Sequence, residues 1–159
     1  QFDAQNPLKV LFLGSLFFHL HNGAINDICN AVKELRKLGH PLVFNIYGQR
    51  VPSDFLSVEI DGVSVMHHGE VPAAKRFKIM KEHHVFVVPS TFDSDLANEY
   101  SFSIPTKLSE LLASGRPTII YGPDIMEAHR FCKDNDCGYL IDTRSVEKLM
   151  DALIKIMEN

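Results

Sequence analysis

Two residues of opposite charge, Lys107 and Glu110, stand three apart in the stretch Ile104 to Gly122, IPTKLSELLASGRPTIIYG. On a helix that spacing projects both side chains from one side. Pro105 fixes a backbone suited to a helix start and leaves nearby amides free to face an anion. A cation in the first turn opposes the helix dipole, which favours negative charge there. A bound anion would account for Lys107, and a carboxylate one turn on can accept two hydrogen bonds from a ribose diol. The same spacing also makes a surface ion pair worth about 0.2–0.5 kcal/mol, and spacing alone leaves the two readings level. Gly14-Ser15 is a second candidate. A small-residue turn after a first strand lets a phosphate approach the amides that open the next helix. No GxGxxG is present, and a glycine that ends a strand is equally common punctuation.

Metal chemistry has little support. Cys29, Cys132 and Cys137 are an odd set without metal-ligand spacing and read as free thiols in a reducing, cytoplasmic compartment. Of eight histidines, His67–His68 and His83–His84 are adjacent pairs. Neighbouring side chains on a strand point to opposite faces, and no carboxylate or cysteine completes a ligand set. We therefore expect no metal and no cofactor. The formal net charge of −4 argues against broad nucleic-acid binding. No apolar run reaches the roughly 18 residues of a membrane span, and no secretory signal is visible. The chain begins at Gln1, which suits a piece of a longer protein. Any membrane contact is then expected from that parent.

These residues need elements to position them. At 159 residues, 45% apolar and 23% charged, the chain suits one globular domain, residues 1–159, with a full core. Short apolar strands are expected at Lys9–Ser15, Pro41–Gly48, Val63–Gly69, Val85–Ser90, Pro117–Tyr121 and Gly138–Asp142. Between them lie an amphipathic helix from Gly23 to Leu38, a short helix from Pro72 with Phe77 and Met80 facing inward, and a helix from Pro105 to Ser114. Further helices are expected from near Ile125 and from about Ser145. Gln49 to Gly62 reads as irregular, with Asp61-Gly62 as a turn signal, and Thr91 to Ser103 as a polar loop. Apolar strands alternating with helices belong to a parallel sheet covered on both faces. The fold class is α/β, a Rossmann-like doubly wound parallel sheet of about six strands. Ligands of such folds bind beyond the carboxyl ends of the strands.

The stretch from Ser90 to Pro117 resembles the signature of the C-terminal domain of retaining GT-B glycosyltransferases of the family-four type. Pro89-Ser90 ends a strand, an acidic loop follows, and Glu110 precedes Ala113-Ser114-Gly115-Arg116-Pro117. Pro105-Thr106-Lys107 matches the variant with Pro-Ser/Thr-Lys before that glutamate. The first strand with its Gly turn, Tyr47-Gly48 and Gly69-Glu70-Val71 also fall where this family places them, so the likeness runs from about Lys9 to Met157.

The resemblance implies one half of a GT-B fold that binds a nucleotide diphosphate sugar and transfers the sugar with retained configuration, in surface or cell-envelope glycan synthesis. It implies that Glu110 binds the ribose, that Val71 sits by the nucleobase, and that Gly14, Ser15, Ser90, Pro105, Thr106 and Lys107 line the donor site. It implies no metal, and an acceptor held by a separate N-terminal domain. Two departures stand out. The family's first glutamate, eight positions before Glu110, is Phe102 here, which makes Glu99 the candidate catalytic carboxylate. The basic residues after the first strand are missing, since Leu16 to His21 holds no Lys or Arg, only His19 and His21. Those departures keep two alternatives open: a non-catalytic binding or regulatory module of the same fold, and a nucleotide-sugar epimerase.

Overall fold

The computed structural model describes residues 2–48 and 60–159, without the side chains of Phe18, His19 and Asn22. The expected irregular stretch from Gln49 lies, up to residue 59, outside the described residues. Six strands alternate with helices: β1 (Leu8–Leu13), α1 (Phe18–Lys37), β2 (Leu42–Tyr47), β3 (Val65–Gly69), α2 (Ala73–Lys81) and β4 (Val85–Pro89) come first. Then follow α3 (Ser94–Glu99), α4 (Leu108–Ala113), β5 (Thr118–Tyr121), α5 (Glu127–Asp134), β6 (Tyr139–Ile141) and α6 (Val146–Glu158). The strands form one sheet in the order β3-β2-β1-β4-β5-β6, and every pairing is parallel. This is the doubly wound, Rossmann-like arrangement that the apolar strands implied.

The central strands β1, β2 and β4 are almost wholly apolar because both faces are covered, whereas β3 at the sheet edge carries His67 and the exposed His68. From β1, Leu8, Val10 and Phe12 pack against Ile25, Ile28, Val32 and Leu35 of α1 and Leu149 and Leu153 of α6. Leu11 and Leu13 point the other way, into a second core with Met80 of α2, Leu108 and Leu111 of α4, and Ala128 and Cys132 of α5. In β4, Val85 and Val87 join the first core while Phe86 and Val88 join the second. Burying such a side chain is worth about 1.5–3 kcal/mol, so the period-two split fixes which helices lie on which face.

Four differences from expectation have local causes. Helix α1 starts at Phe18 rather than Gly23, because Phe17 caps it: its carbonyl accepts from the Leu20 and His21 amides, and its own N–H donates to His21 Nδ1 at 3.0 Å. Gly23 thus lies inside the helix, where a Cβ would sit 3.4 Å from the Arg144 guanidinium. The polar loop after β4 contains α3, nucleated by Asp93, whose carboxylate accepts from the amides of Asp95 and Leu96. Phe77 does not face inward as Met80 does; it is exposed, with the Lys81 ammonium 4.5 Å from its ring centre. Helix α4 covers only Leu108–Ala113, with Lys107 as its N-cap, and stops where Gly115 takes a φ of 70°. The Asp61-Gly62 turn forms as read, with the Asp61 carboxylate accepting from the amides of Val63, Ser64 and Val65.

A buried polar clamp ties α1 to β5 and to the start of α6 on the same face of the sheet. Asp27 accepts from the Tyr121 hydroxyl at 2.9 Å and from Arg144 Nε at 2.8 Å. The Tyr121 oxygen in turn accepts from the Ser145 amide at 3.0 Å, just before α6. Tyr121 is fully buried whereas Arg144 is largely exposed. Replacing Asp27 with Ala is therefore expected to cost about 2–3 kcal/mol, chiefly through the stranded Tyr121 hydroxyl. Arg144→Ala should cost under about 1 kcal/mol, since its half-solvated pair is weak. Denaturant midpoints at unchanged m-value check both, and equal losses would contradict the assignment. Gly48→Ala is expected to cost about 1–3 kcal/mol in the same assay, because its Cβ would lie 2.2 Å from the Gly14 carbonyl oxygen.

Candidate functional site

Strand order reverses between β1 and β4, so the chain leaves these neighbours toward opposite faces and a crevice opens at their carboxyl ends. Close backbone packing forms its floor. The Gly14 amide donates to the Tyr47 carbonyl at 3.0 Å and the Ser90 amide to the Tyr121 carbonyl at 2.8 Å. A Cβ on Gly122 would fall 2.7 Å from that of Ser90.

The crevice has two joined lobes. The larger, about 280 Å³, is lined by Gly14, Ser15, Ser90, Pro105, Thr106 and Lys107, with Phe17, Leu20, His21, Tyr100, Ile104 and Met126 supplying apolar wall. The smaller, about 220 Å³, is lined by Tyr47, Gly48, Glu70, Val71 and Arg76, again with Gly14, Ser15 and Lys107. Gly14, Ser15 and Lys107 therefore stand where the lobes meet. Seven of the nine residues singled out from sequence converge here. The other two do not reach the lining. Glu99 is the exposed last residue of α3, and Glu110 is exposed in the first turn of α4.

Lys107 is half-buried, and its carbonyl accepts from the Leu111 amide. The preceding turn is closed by the Leu108 amide donating to the Pro105 carbonyl at 2.9 Å. Burial lowers the Lys107 pKa from its ordinary value, the Arg76 guanidinium lowers it further, and Glu110 opposes the shift. Among the described residues neither Lys107 nor Arg76 has a carboxylate at ion-pair distance. The surface Lys107–Glu110 pair is thus not formed, and Lys107 lines both lobes of the crevice.

His21 does not replace the missing cations of the β1–α1 turn. Burial pushes its pKa down to about 4 and its Nδ1 accepts the Phe17 amide, so at neutral pH the ring is uncharged. Phe102 is 83% exposed, with the Arg130 guanidinium 5.6 Å from its ring centre. Its position offers no acidic group to the crevice. Among the described residues no three His, Cys, Asp or Glu side chains are grouped so as to hold a metal ion.

Sequence reasoning missed Arg76, which lies in the charged run Lys75-Arg76-Phe77-Lys78 and looks like part of a solvated face. Its place four residues before the buried Met80 sets it toward the inward side of α2, but such spacing does not tell a solvated arginine from one that enters a cleft, as the exposed Phe77 shows.

Comparison with known proteins agrees with this geometry. The family model described as "Glycosyl transferases group 1" matches residues 7–159. No curated protein sequence matches significantly. Among solved structures, a mutant of TarM from S. aureus in complex with fondaparinux, alpha-GlcNAc-glycerol and UDP superposes with a TM-score of 0.65 at 18% identity. It covers 100% of this chain, which spans only 30% of that one. The C-terminal domain of the group 1 glycosyl transferase LpcC from Francisella tularensis gives a TM-score of 0.62 at 14% identity, covering 99% of this chain and 78% of its own. The pneumococcal O-GlcNAc transferase GtfA, in complex with UDP and GlcNAc, gives 0.52 at 18%, covering 99% of this chain and 30% of its own. At these identities the superpositions establish the fold, one half of a GT-B architecture. The match across nearly the whole chain establishes the rest: this protein belongs to the group 1 glycosyl transferase family.

Proposed function

We propose that this chain is the donor-binding domain of a retaining glycosyltransferase that draws on a nucleotide diphosphate sugar, with the acceptor held by a separate N-terminal domain. The observation that carries the proposal is the meeting of Gly14, Ser15 and Lys107 between two lobes at the strand-order reversal, with no carboxylate among the described residues at ion-pair distance from Lys107. A ligand with a polyanionic middle and different groups at its two ends fits that layout. The nucleobase is assigned to the smaller lobe beside Val71, the diphosphate to the junction, and the sugar to the larger lobe by Ser90, Pro105 and Thr106. Glu110, one turn along from Lys107, is assigned to the ribose hydroxyls.

The chemistry follows from charge. As the glycosidic bond breaks, negative charge grows on the departing diphosphate, and a half-buried ammonium aimed there stabilises that charge more than it would in open water. The reading gives this task to Lys107 and assigns none to a metal ion. UDP and GlcNAc in the neighbouring GtfA structure, and UDP in that of TarM, support a sugar nucleotide as the donor class. A role in surface or cell-envelope glycan synthesis, on the cytoplasmic side, is part of the same proposal; no helix among the described residues is long and apolar enough to cross a membrane.

A second reading, a non-catalytic module of the same fold, is favoured by one feature. Glu99 lies outside the crevice and Phe102 stands where the family has a carboxylate. Under the first reading Glu99 would have to reach the donor sugar once the acceptor domain is in place.

Titration calorimetry with UDP, GDP and ADP is expected to show binding of at least one of them. Glu110→Ala should weaken that binding by about 1–3 kcal/mol through lost ribose contacts. Unchanged affinity removes Glu110 from the site, and no heat at millimolar nucleotide contradicts the donor assignment. The isolated chain should transfer no sugar. In the full-length parent, sugar transfer that survives Lys107→Ala at an undiminished rate would favour an explanation other than Lys107-assisted catalysis.

A further inference from the structure

Leu16 to His21 holds no Lys or Arg, and among its described side chains His21 is neutral, so none of these brings a cation to the crevice. A second cation nevertheless reaches the same space from a different element. Arg76, half-buried on α2, lines the smaller lobe together with Lys107 at the head of α4. The two are close enough that Arg76 disfavours the charged form of Lys107. Glu70 lines the same lobe and Glu110 lies nearby, yet neither closes to ion-pair distance with either cation among the described residues. Two like charges directed into one crevice without a closed ion pair are unfavourable on their own, and a ligand with more than one negative charge would resolve the conflict.

We infer that Arg76 is the second cation of the phosphate site, acting with Lys107 on a nucleoside diphosphate group and replacing the basic residues absent from the β1–α1 turn. This rests on the donor-site reading and adds a residue that neither spacing nor motif assigns. A guanidinium suits the task because its planar fork can engage two phosphoryl oxygens at once, which an ammonium cannot. The competing use of Arg76 is stacking on the nucleobase, since Val71 lines the same lobe. The two uses differ in which part of the ligand feels the substitution.

The test compares the wild-type chain with Arg76→Gln and Arg76→Lys, each shown by circular dichroism to melt as the wild type does. Probes are UDP, uridine and inorganic pyrophosphate, titrated at two salt concentrations. We expect Arg76→Gln to weaken UDP and pyrophosphate at least tenfold, a loss of about 1.4 kcal/mol, with a shallower salt dependence and no change for uridine. Arg76→Lys should fall between. Unchanged UDP or pyrophosphate affinity in Arg76→Gln overturns the inference while leaving the donor site standing. An equal loss for UDP and uridine moves Arg76 to the base and also overturns it. Where uridine binds too weakly to compare, pyrophosphate decides, since it has no base. A wild-type chain that binds neither UDP, GDP, ADP nor pyrophosphate removes both the inference and the reading beneath it.

Discussion

Everything at the crevice depends on β1 pairing in parallel with both β2 and β4. Parallel neighbours require crossovers, and reversal of strand order sends the segments that follow β1 and β4 to opposite faces. A crevice therefore opens at the carboxyl ends of β1 and β4. Gly14 and Ser90 sit at those two ends. Their backbones pack tightly against the ends of β2 and β5, and Gly48 and Gly122 permit this because a Cβ at either would collide. The phosphate assignment is downstream of that geometry, since it needs a bare backbone edge with cations close beside it.

The two cores and the polar clamp hold the edge still. The period-two split of β1 and β4 sets α1 and α6 against one face and α2, α4 and α5 against the other. That places Lys107 and Arg76, both on the second face, beside the same opening. Asp27 links α1 to β5 and to the start of α6 through Tyr121 and Arg144, so the helix that follows the Gly14-Ser15 turn is anchored well away from it. Stability is thus concentrated below the crevice, and the loops around its mouth carry exposed Phe17, Tyr100, Phe102 and Ile104 instead of charge.

Much of this was legible from residue order. Apolar strands bounded by glycines gave all six strands, because a strand buried on both faces leaves an unmistakable run, as Val85 to Val88 does. The Pro105-Thr106-Lys107 turn and Gly14-Ser15 were found by local chemistry that tertiary contacts did not override. Other features depend on contacts that spacing does not show. Gly23 reads as a helix start, yet the helix begins five residues earlier because the Phe17 backbone and the His21 ring cap it. Phe77 looks like core by helical spacing, but the second core is closed by Met80 and by side chains from α4 and α5. Arg76 was hidden in a charged run because nothing local distinguishes a solvated arginine from one that turns into a cleft. Glu99 and Glu110 stand outside the lining for a related reason: a motif fixes the order of residues, not where each carboxylate lies relative to the crevice.

The central claim is that a nucleotide diphosphate lies across the junction of the two lobes. Backbone amide NMR on the isotopically labelled chain, titrated with UDP or GDP, tests it most directly. The account predicts the largest, saturable shifts at Gly14, Ser15, Thr106 and Lys107, with smaller ones at Val71 and Arg76 and none across α6. Shifts confined to other surfaces, or none at millimolar nucleotide, would contradict it.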